Sequence, residues 1–180
     1  MKHGSIGTAL PIIEARRFVL RPLKPSDAGL VQLYASDRRV AEMTTTIPHP
    51  YPPGAAEAFV ERALADDERR AVWALDGSAH GSSQLLGVVS LARLDRDQAE
   101  IGYWVAPALW NAGYASEAVN AIVEANPLGS KALFAAVFQD NPGSARVLTN
   151  AGFEYVGDAE AHSVSRHATI PTWTYLRRLR

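Results

Sequence analysis

The sequence predicts an α/β fold built around one mixed sheet. Apolar runs of strand type alternate with amphipathic helical segments along the whole chain. Three of those runs, between residues 71 and 105, follow one another through polar turns, as antiparallel neighbours do. One strand–helix–strand crossover, over 99–138, ends in a run that is apolar at every position, the pattern of a strand buried on both faces.

The elements follow in order. Residues 16–23, Arg-Arg-Phe-Val-Leu-Arg-Pro-Leu, read as a strand that stops near Pro22. Lys24-Pro25-Ser26-Asp27 is a helix start, and Leu30, Val31, Leu33 and Tyr34 continue it at helical spacing. Pro48, Pro50, Pro52 and Pro53 exclude regular structure from 44–54 and leave a stiff, extended loop. A second helix is expected at about 55–67, with Ala58, Phe59, Ala63 and Leu64 inward and the Asp66–Arg70 tail solvated. Strands are expected at 71–75, 85–94 and 99–105, the last stopped by Pro107. A helix at about 114–125 carries Ala115, Ala118, Val119, Ile122 and Val123 on one face and ends at Asn126-Pro127. The buried strand 132–138 leads to a short helix at 142–151 that Gly152 closes, and strands at 153–157 and 172–178 finish the chain, with a polar loop at 158–171 between them.

With 180 residues and no internal repeat or long linker, residues 1–180 are expected to form a single domain. The net charge of −1 argues against a nucleic-acid binder that lives on phosphate neutralisation. The absence of cysteine excludes a disulfide scaffold, thiolate metal sites and a cysteine nucleophile. No apolar run approaches the roughly 20 residues of a membrane span, and Met1–Thr8 lacks the apolar stretch of a secretory signal, so a cytoplasmic protein is expected. His3, His49, His80, His162 and His167 show no ligand spacing, and no metal is expected.

Two segments carry chemistry. In Val105–Ala118 a strand runs through a loop of small residues straight into a helix, whose free N–H groups and positive dipole end suit an anion. Gly113 allows close backbone approach, and Asn111 tolerates positive φ. Spacing alone fits an ordinary strand–helix turn as well as a phosphate cradle. In Asp140–Phe153, Asn141 stands at an N-cap with Pro142 at the first helical position, which capping by itself also explains.

Together these segments resemble the GNAT acetyltransferases, and within them the RimJ/RimL type that acetylates the N-termini of ribosomal proteins. Arg17–Leu23 with Asp27-Ala28 is similar to that branch's opening strand and helix. Trp110–Ala118 is similar to its Trp-Gly-x-Gly-Tyr-Ala-x-Glu-Ala signature, and Asn141–Phe153 to its Asn-x-x-Ser-x-Arg-Val-Leu-x-x-x-Gly-Phe helix. The sequence departs at Asn111, where glycine is usual, and at Ala112, where Gln, Lys or Arg is usual.

The resemblance implies a central mixed, mostly antiparallel sheet with helices on both faces. It implies acetyl-CoA as cosubstrate, without a metal, lying between two parallel strands that splay apart and end here at Val105 and Phe138. It puts the pyrophosphate on the amides of Asn111, Ala112, Gly113, Tyr114 and Ala115, the thioester carbonyl on the Val105 N–H, and Asn141, Ser144 and Arg146 beside the cofactor. Amine acetylation requires a neutral amine, so a carboxylate should help remove its proton, and Glu100 in Ala99-Glu100-Ile101 is the candidate base. A strand glutamate facing solvent near Arg93 is the alternative reading. Other members use a tyrosine to protonate the departing thiolate. That slot is Leu148 here, which leaves Ser144, Asn141 or water. His49 and Tyr51 in the proline loop, with Trp104, are candidates for the acceptor pocket, with loop surface and core packing as their alternatives. The expected partners are acetyl-CoA and an amine acceptor, a protein N-terminus or a small molecule, with no nucleic acid and no membrane, for a monomer or homodimer. A non-catalytic acetyl-CoA sensor is the other class.

Overall fold

The computed structural model describes residues 10–65 and 67–180, so the readings of Met1–Thr8 and of Asp66 lie outside the described residues. The strands are β1 (Ile13–Glu14), β2 (Val19–Pro22), β3 (Arg70–Asp76), β4 (Gly87–Leu94), β5 (Gln98–Val105), β6 (Ala132–Phe138), β7 (Glu154–Ser163) and β8 (Ala168–Arg178). They form one sheet in the order β1-β2-β3-β4-β5-β6-β8-β7. Every neighbouring pair is antiparallel except β5 with β6.

Helices cover both faces, as expected. Strand β3 shows why its sequence is apolar throughout. Ala71, Trp73 and Leu75 pack toward the face covered by α4 (Tyr114–Ala125) and α5 (Pro142–Asn150). Val72 and Ala74 pack toward the opposite face, under α1 (Ala28–Ala35) and α3 (Ala55–Leu64). The period of two thus serves two cores at once.

The first helix is fastened by a buried charge cluster. Arg21 on β2 holds both Asp27 carboxylate oxygens at 2.8 and 2.9 Å, Asp76 at 2.6 Å and the Gln84 carbonyl at 2.9 Å. Asp27 is fully buried and also accepts the Lys24 N–H at 2.8 Å. Burial pushes the Asp27 carboxyl up, but the Arg21 and Lys24 hydrogen bonds outweigh it and hold the carboxyl below its ordinary range.

Several expectations need correction. The segment 158–171 is not a loop: β7 runs on to Ser163 and β8 begins at Ala168, leaving a four-residue turn, so His162 lies in a strand. Strand β7 forms the edge of the sheet with most of its side chains exposed, which is why its sequence lacks an apolar signal. A short helix, α2 (Arg38–Glu42), follows α1, capped by Asp37 through the Arg39 N–H; it went unpredicted because five residues carry too little periodicity. The first expected strand, 16–23, is regular only over β2, and α3 ends at Leu64 rather than 67. No helix among the described residues is long and apolar enough to cross a membrane.

Candidate active site

The sheet forks. The parallel pairing of β5 with β6 covers Gln98–Glu100 against Ala132–Phe134 and goes no further. Beyond Glu100, β5 stays paired to β4 and β6 stays paired to β8. The Ala106 N–H bonds to Leu86 on the β4 side. Alternation in an antiparallel pair then turns the peptide groups of Ile101, Tyr103 and Val105 toward the open fork. The Val105 carbonyl accepts the Trp110 indole N–H at 2.8 Å. The amides of Ile101, Tyr103 and Val105 remain aimed into the fork, where an extended chain can pair with them as a strand would.

Helix α4 starts above the wide end of the fork. Gly113, its N-cap, has φ 85°, and Asn111 has φ 61°, so both residues occupy the left-handed region expected of them. The first intrahelical bond runs from the Glu117 N–H to the Gly113 carbonyl, which leaves the amides of residues 113–116 without helical acceptors. Arg17 shapes this turn. Its Nε donates to Glu117 at 3.0 Å, its Nη1 to the Ala112 carbonyl at 2.9 Å, and its guanidinium stacks 3.9 Å from the Tyr114 ring centre. Sequence reasoning missed this role, although Arg17 and Glu117 both lie within the motifs that were read.

A cleft of about 660 Å³ spans the fork from the α5 side to the α1/α3 side. Of the expected site residues, Glu100, Trp104, Tyr51, Asn141 and Ser144 line it together. The fork ends at Glu100, whose side chain is exposed. Its partner across β4 is Ala92, not Arg93, so the expected neighbouring charge is not opposite it. Ser90 and Gly102 continue the floor; a Cβ on Gly102 would come within 3.3 Å of the Ser90 hydroxyl oxygen, so glycine keeps the floor low. Asn141 caps α5 by accepting the Ser144 N–H at 3.3 Å. Trp104 packs edge-on to Tyr34. Burial pushes the Tyr51 phenol up.

Other expected residues stand apart. Residues 111–115 sit at the α4 turn, outside the cleft wall, and Arg146 faces solvent on α5. His49 is half-buried and does not line the cleft, and its Nδ1 is buried without a hydrogen-bond partner among the described residues. Two contributions were not legible in the sequence. The Tyr103 hydroxyl lies 2.7 Å from the Ser144 hydroxyl, joining β5 to α5 within the cleft, and burial holds this phenol at about 12. Arg166, in the β7–β8 turn, donates to the Glu42 carbonyl at 2.7 Å and to Asp140 at 2.6 Å. Beside it the Val164 N–H bonds to Thr45, so the hairpin tip fixes the Thr44–Thr46 rim of the cleft.

Residues 17–154 match the acetyltransferase (GNAT) domain family. The chain belongs to the GNAT acetyltransferases. It is similar to the uncharacterized N-acetyltransferase YoaA of Bacillus subtilis, 30% identical over 157 residues that cover 82% of this chain and 85% of the relative. Among solved structures it is similar to the microcin C7 self-immunity acetyltransferase MccE in complex with acetyl-CoA and AMP, with a TM-score of 0.78 at 16% identity over 91% of this chain and 93% of that one. It is also similar to the ribosomal-protein-S5-alanine acetyltransferase of Vibrio fischeri, with a TM-score of 0.75 at 19% identity over 93% and 96% of the two chains. The chain is accordingly an N-acetyltransferase that uses acetyl-CoA. The fork edge and the free amides of the α4 turn fit the cosubstrate: one offers strand-like partners to its pantetheine amides, the other donors to its phosphates. Among the described residues no group of three potential metal ligands comes together.

Substituting Gly113 with Asp tests the α4 turn as the phosphate site. Aspartate tolerates positive φ better than most residues, and its Cβ would stand 3.3 Å from the flexible end of Arg17, so the strain is local, while its charge stands where the pyrophosphate should lie. Calorimetry is expected to show acetyl-CoA affinity at least roughly tenfold weaker, about 1.4 kcal/mol. Unchanged affinity in the folded variant would move the phosphates elsewhere.

Proposed function

We propose that this GNAT enzyme acetylates a primary amine by direct transfer from acetyl-CoA, in the cytoplasm, with Glu100 as general base. A protein N-terminal α-amine is the leading acceptor, by the RimJ/RimL-like motifs. The observation that carries the reading is the meeting of three parts in one cleft: the open edge of β5, the Glu100 carboxylate where the fork closes, and a walled chamber beyond it.

In this scheme the chain's groups divide the work. The amides of Asn111–Ala115 hold the pyrophosphate. The amides of β5 that face the fork, Val105 first, hold the pantetheine and donate to the thioester oxygen as negative charge develops there. The acceptor enters from the α1/α3 side as a neutral amine, its proton passing to Glu100 directly or through a water. The amine nitrogen bonds to the carbonyl carbon, the C–S bond breaks, and CoA leaves as a thiolate. Leu148 has no proton to offer there. The Ser144 hydroxyl, within hydrogen-bond reach of Tyr103, is our candidate donor for that sulfur, with Asn141 or water as the alternatives.

The direct test incubates the protein with acetyl-CoA and α-amine peptides, following free CoA thiol and acetylated product by mass spectrometry. Acetyl-CoA binding without turnover on any amine would support the sensor reading. Tyr51→Ala is expected to raise the acceptor KM roughly tenfold, the loss of one aromatic contact of about 1–1.5 kcal/mol, with acetyl-CoA affinity preserved. His49→Ala alone should change neither, because His49 does not line the cleft. Equal KM values for wild type and Tyr51→Ala would mean that the proline loop is only a rim.

A further inference from the structure

The acceptor side of the cleft carries two cations as well as its carboxylate. Arg62, on the last turn of α3, and Arg70, at the start of β3, both line the wall that also holds Glu100. The register puts Arg70 opposite Ala92 and Ala92 opposite Glu100. Directly opposed residues point to the same face, so the three form one row across the cleft floor. Two strand spacings separate the backbones of Arg70 and Glu100 by roughly 10 Å. Only the methyl of Ala92 stands between them, and the next row is lowered by Ser90 and Gly102.

Among the described residues neither the Arg62 nor the Arg70 guanidinium has a hydrogen-bond or ion-pair partner, and of the arginines only these two line the cleft. These two guanidinium groups lie at the opposite end of the cleft from α5, and the α4 turn proposed for the CoA phosphates is not part of the wall at all. The surplus positive charge therefore faces the acceptor.

We infer that the acceptor is a primary amine that carries a carboxylate on the same molecule, its amine lying toward Glu100 and its carboxylate between Arg62 and Arg70. The inference rests on the reading of this cleft as the acceptor site and narrows it. Planar guanidinium groups match a carboxylate with paired, charge-assisted hydrogen bonds. The same two charges repel an acceptor with a second ammonium group, which discriminates against polyamines. The carboxylate can belong to a free amino acid or to an acidic residue beside a peptide N-terminus, and the chemistry at the arginines is the same.

Thiol-release kinetics test this with matched pairs: γ-aminobutyrate and its amide, ε-aminohexanoate and its amide, and the N-terminal peptides Ala-Asp and Ala-Asn with amidated C-termini, together with spermidine. The expected result is that at least one acid exceeds its uncharged partner at least roughly tenfold in kcat/KM, the worth of a hydrogen bond to a charged group. The Arg62→Gln, Arg70→Gln double variant, which alters only exposed side chains, should shrink that preference to within about twofold while acetyl-CoA affinity holds. An advantage in the amino-acid pairs points to a free amino acid, and one confined to Ala-Asp to an acidic peptide. Equal use of acid and amide, faster turnover of spermidine, or a preference that survives the double variant would overturn the inference. Acetylation of no probe by protein that still binds acetyl-CoA would also overturn it and leave the cosubstrate assignment standing. Failure to bind acetyl-CoA would instead remove the underlying reading.

Discussion

Replacing Asp27 with Ala is expected to lower the melting temperature by roughly 6–12 °C. Removing one partner of a buried ion pair costs about 3–5 kcal/mol, because the remaining charge stays desolvated. The lower figure applies here, since Asp76 still pairs with Arg21 at 2.6 Å. At about 3 kcal/mol, a chain of this size loses roughly 2–4 °C per kcal/mol. The pH dependence has a definite sign. The folded Asp27 carboxyl titrates below its ordinary value, so its contribution is fully present above the unfolded pKa of about 3.9 and disappears as pH falls through the folded value. Wild type should therefore lose stability below about pH 4 more steeply than the Asp27→Ala variant. Scanning calorimetry at neutral and acid pH measures both effects. A melting temperature within a degree or two of wild type would mean that Asp76 alone satisfies Arg21.

Glu100→Gln is expected to lower acetyl transfer by roughly a hundredfold or more, the usual scale of a positioned general base and equivalent to about 2.7 kcal/mol in the barrier. Glutamine keeps the size and hydrogen-bonding shape of the side chain and removes only its basicity. The structure makes this a clean experiment, because the side chain is exposed, is paired across the strand with Ala92, and anchors nothing in the core. Acetyl-CoA affinity should stay within about twofold. The deficit should persist as pH rises, since the proton that Glu100 takes is the one a neutral amine gives up as it is acylated. A rate within threefold of wild type at neutral pH would make Glu100 a floor residue and pass proton removal to water.

Much of the architecture is legible in the sequence because it rests on local patterns. Strands β3 to β6 and helices α4 and α5 bury long apolar stripes or runs, and Pro107, Asn126-Pro127 and Gly152 punctuate them. The turn at Asn111–Gly113 was legible for the same reason: residues that tolerate positive φ stand where the backbone requires it. The long β7–β8 hairpin was not. An edge strand facing solvent needs no apolar period, and Pro171 and the polar residues around it read as loop.

By itself the sequence determined the fold class, the order of the elements other than β1 and α2, and the family, through three motifs whose residues answer to backbone geometry within one turn or one strand. Only the tertiary structure decided what the active site is made of. Glu100 and Arg70 are thirty positions apart, and they share a row only because β4 pairs with both of their strands. Tyr103 meets Ser144 because the fork brings α5 against β5, and Arg166 reaches Glu42 across most of the chain. The physical reason is range. Propensity, capping and turn chemistry act over a few residues, so one chain's sequence displays them. Charge pairing, shared clefts and strand register depend on which segments pack together, and the sheet settles that as a whole.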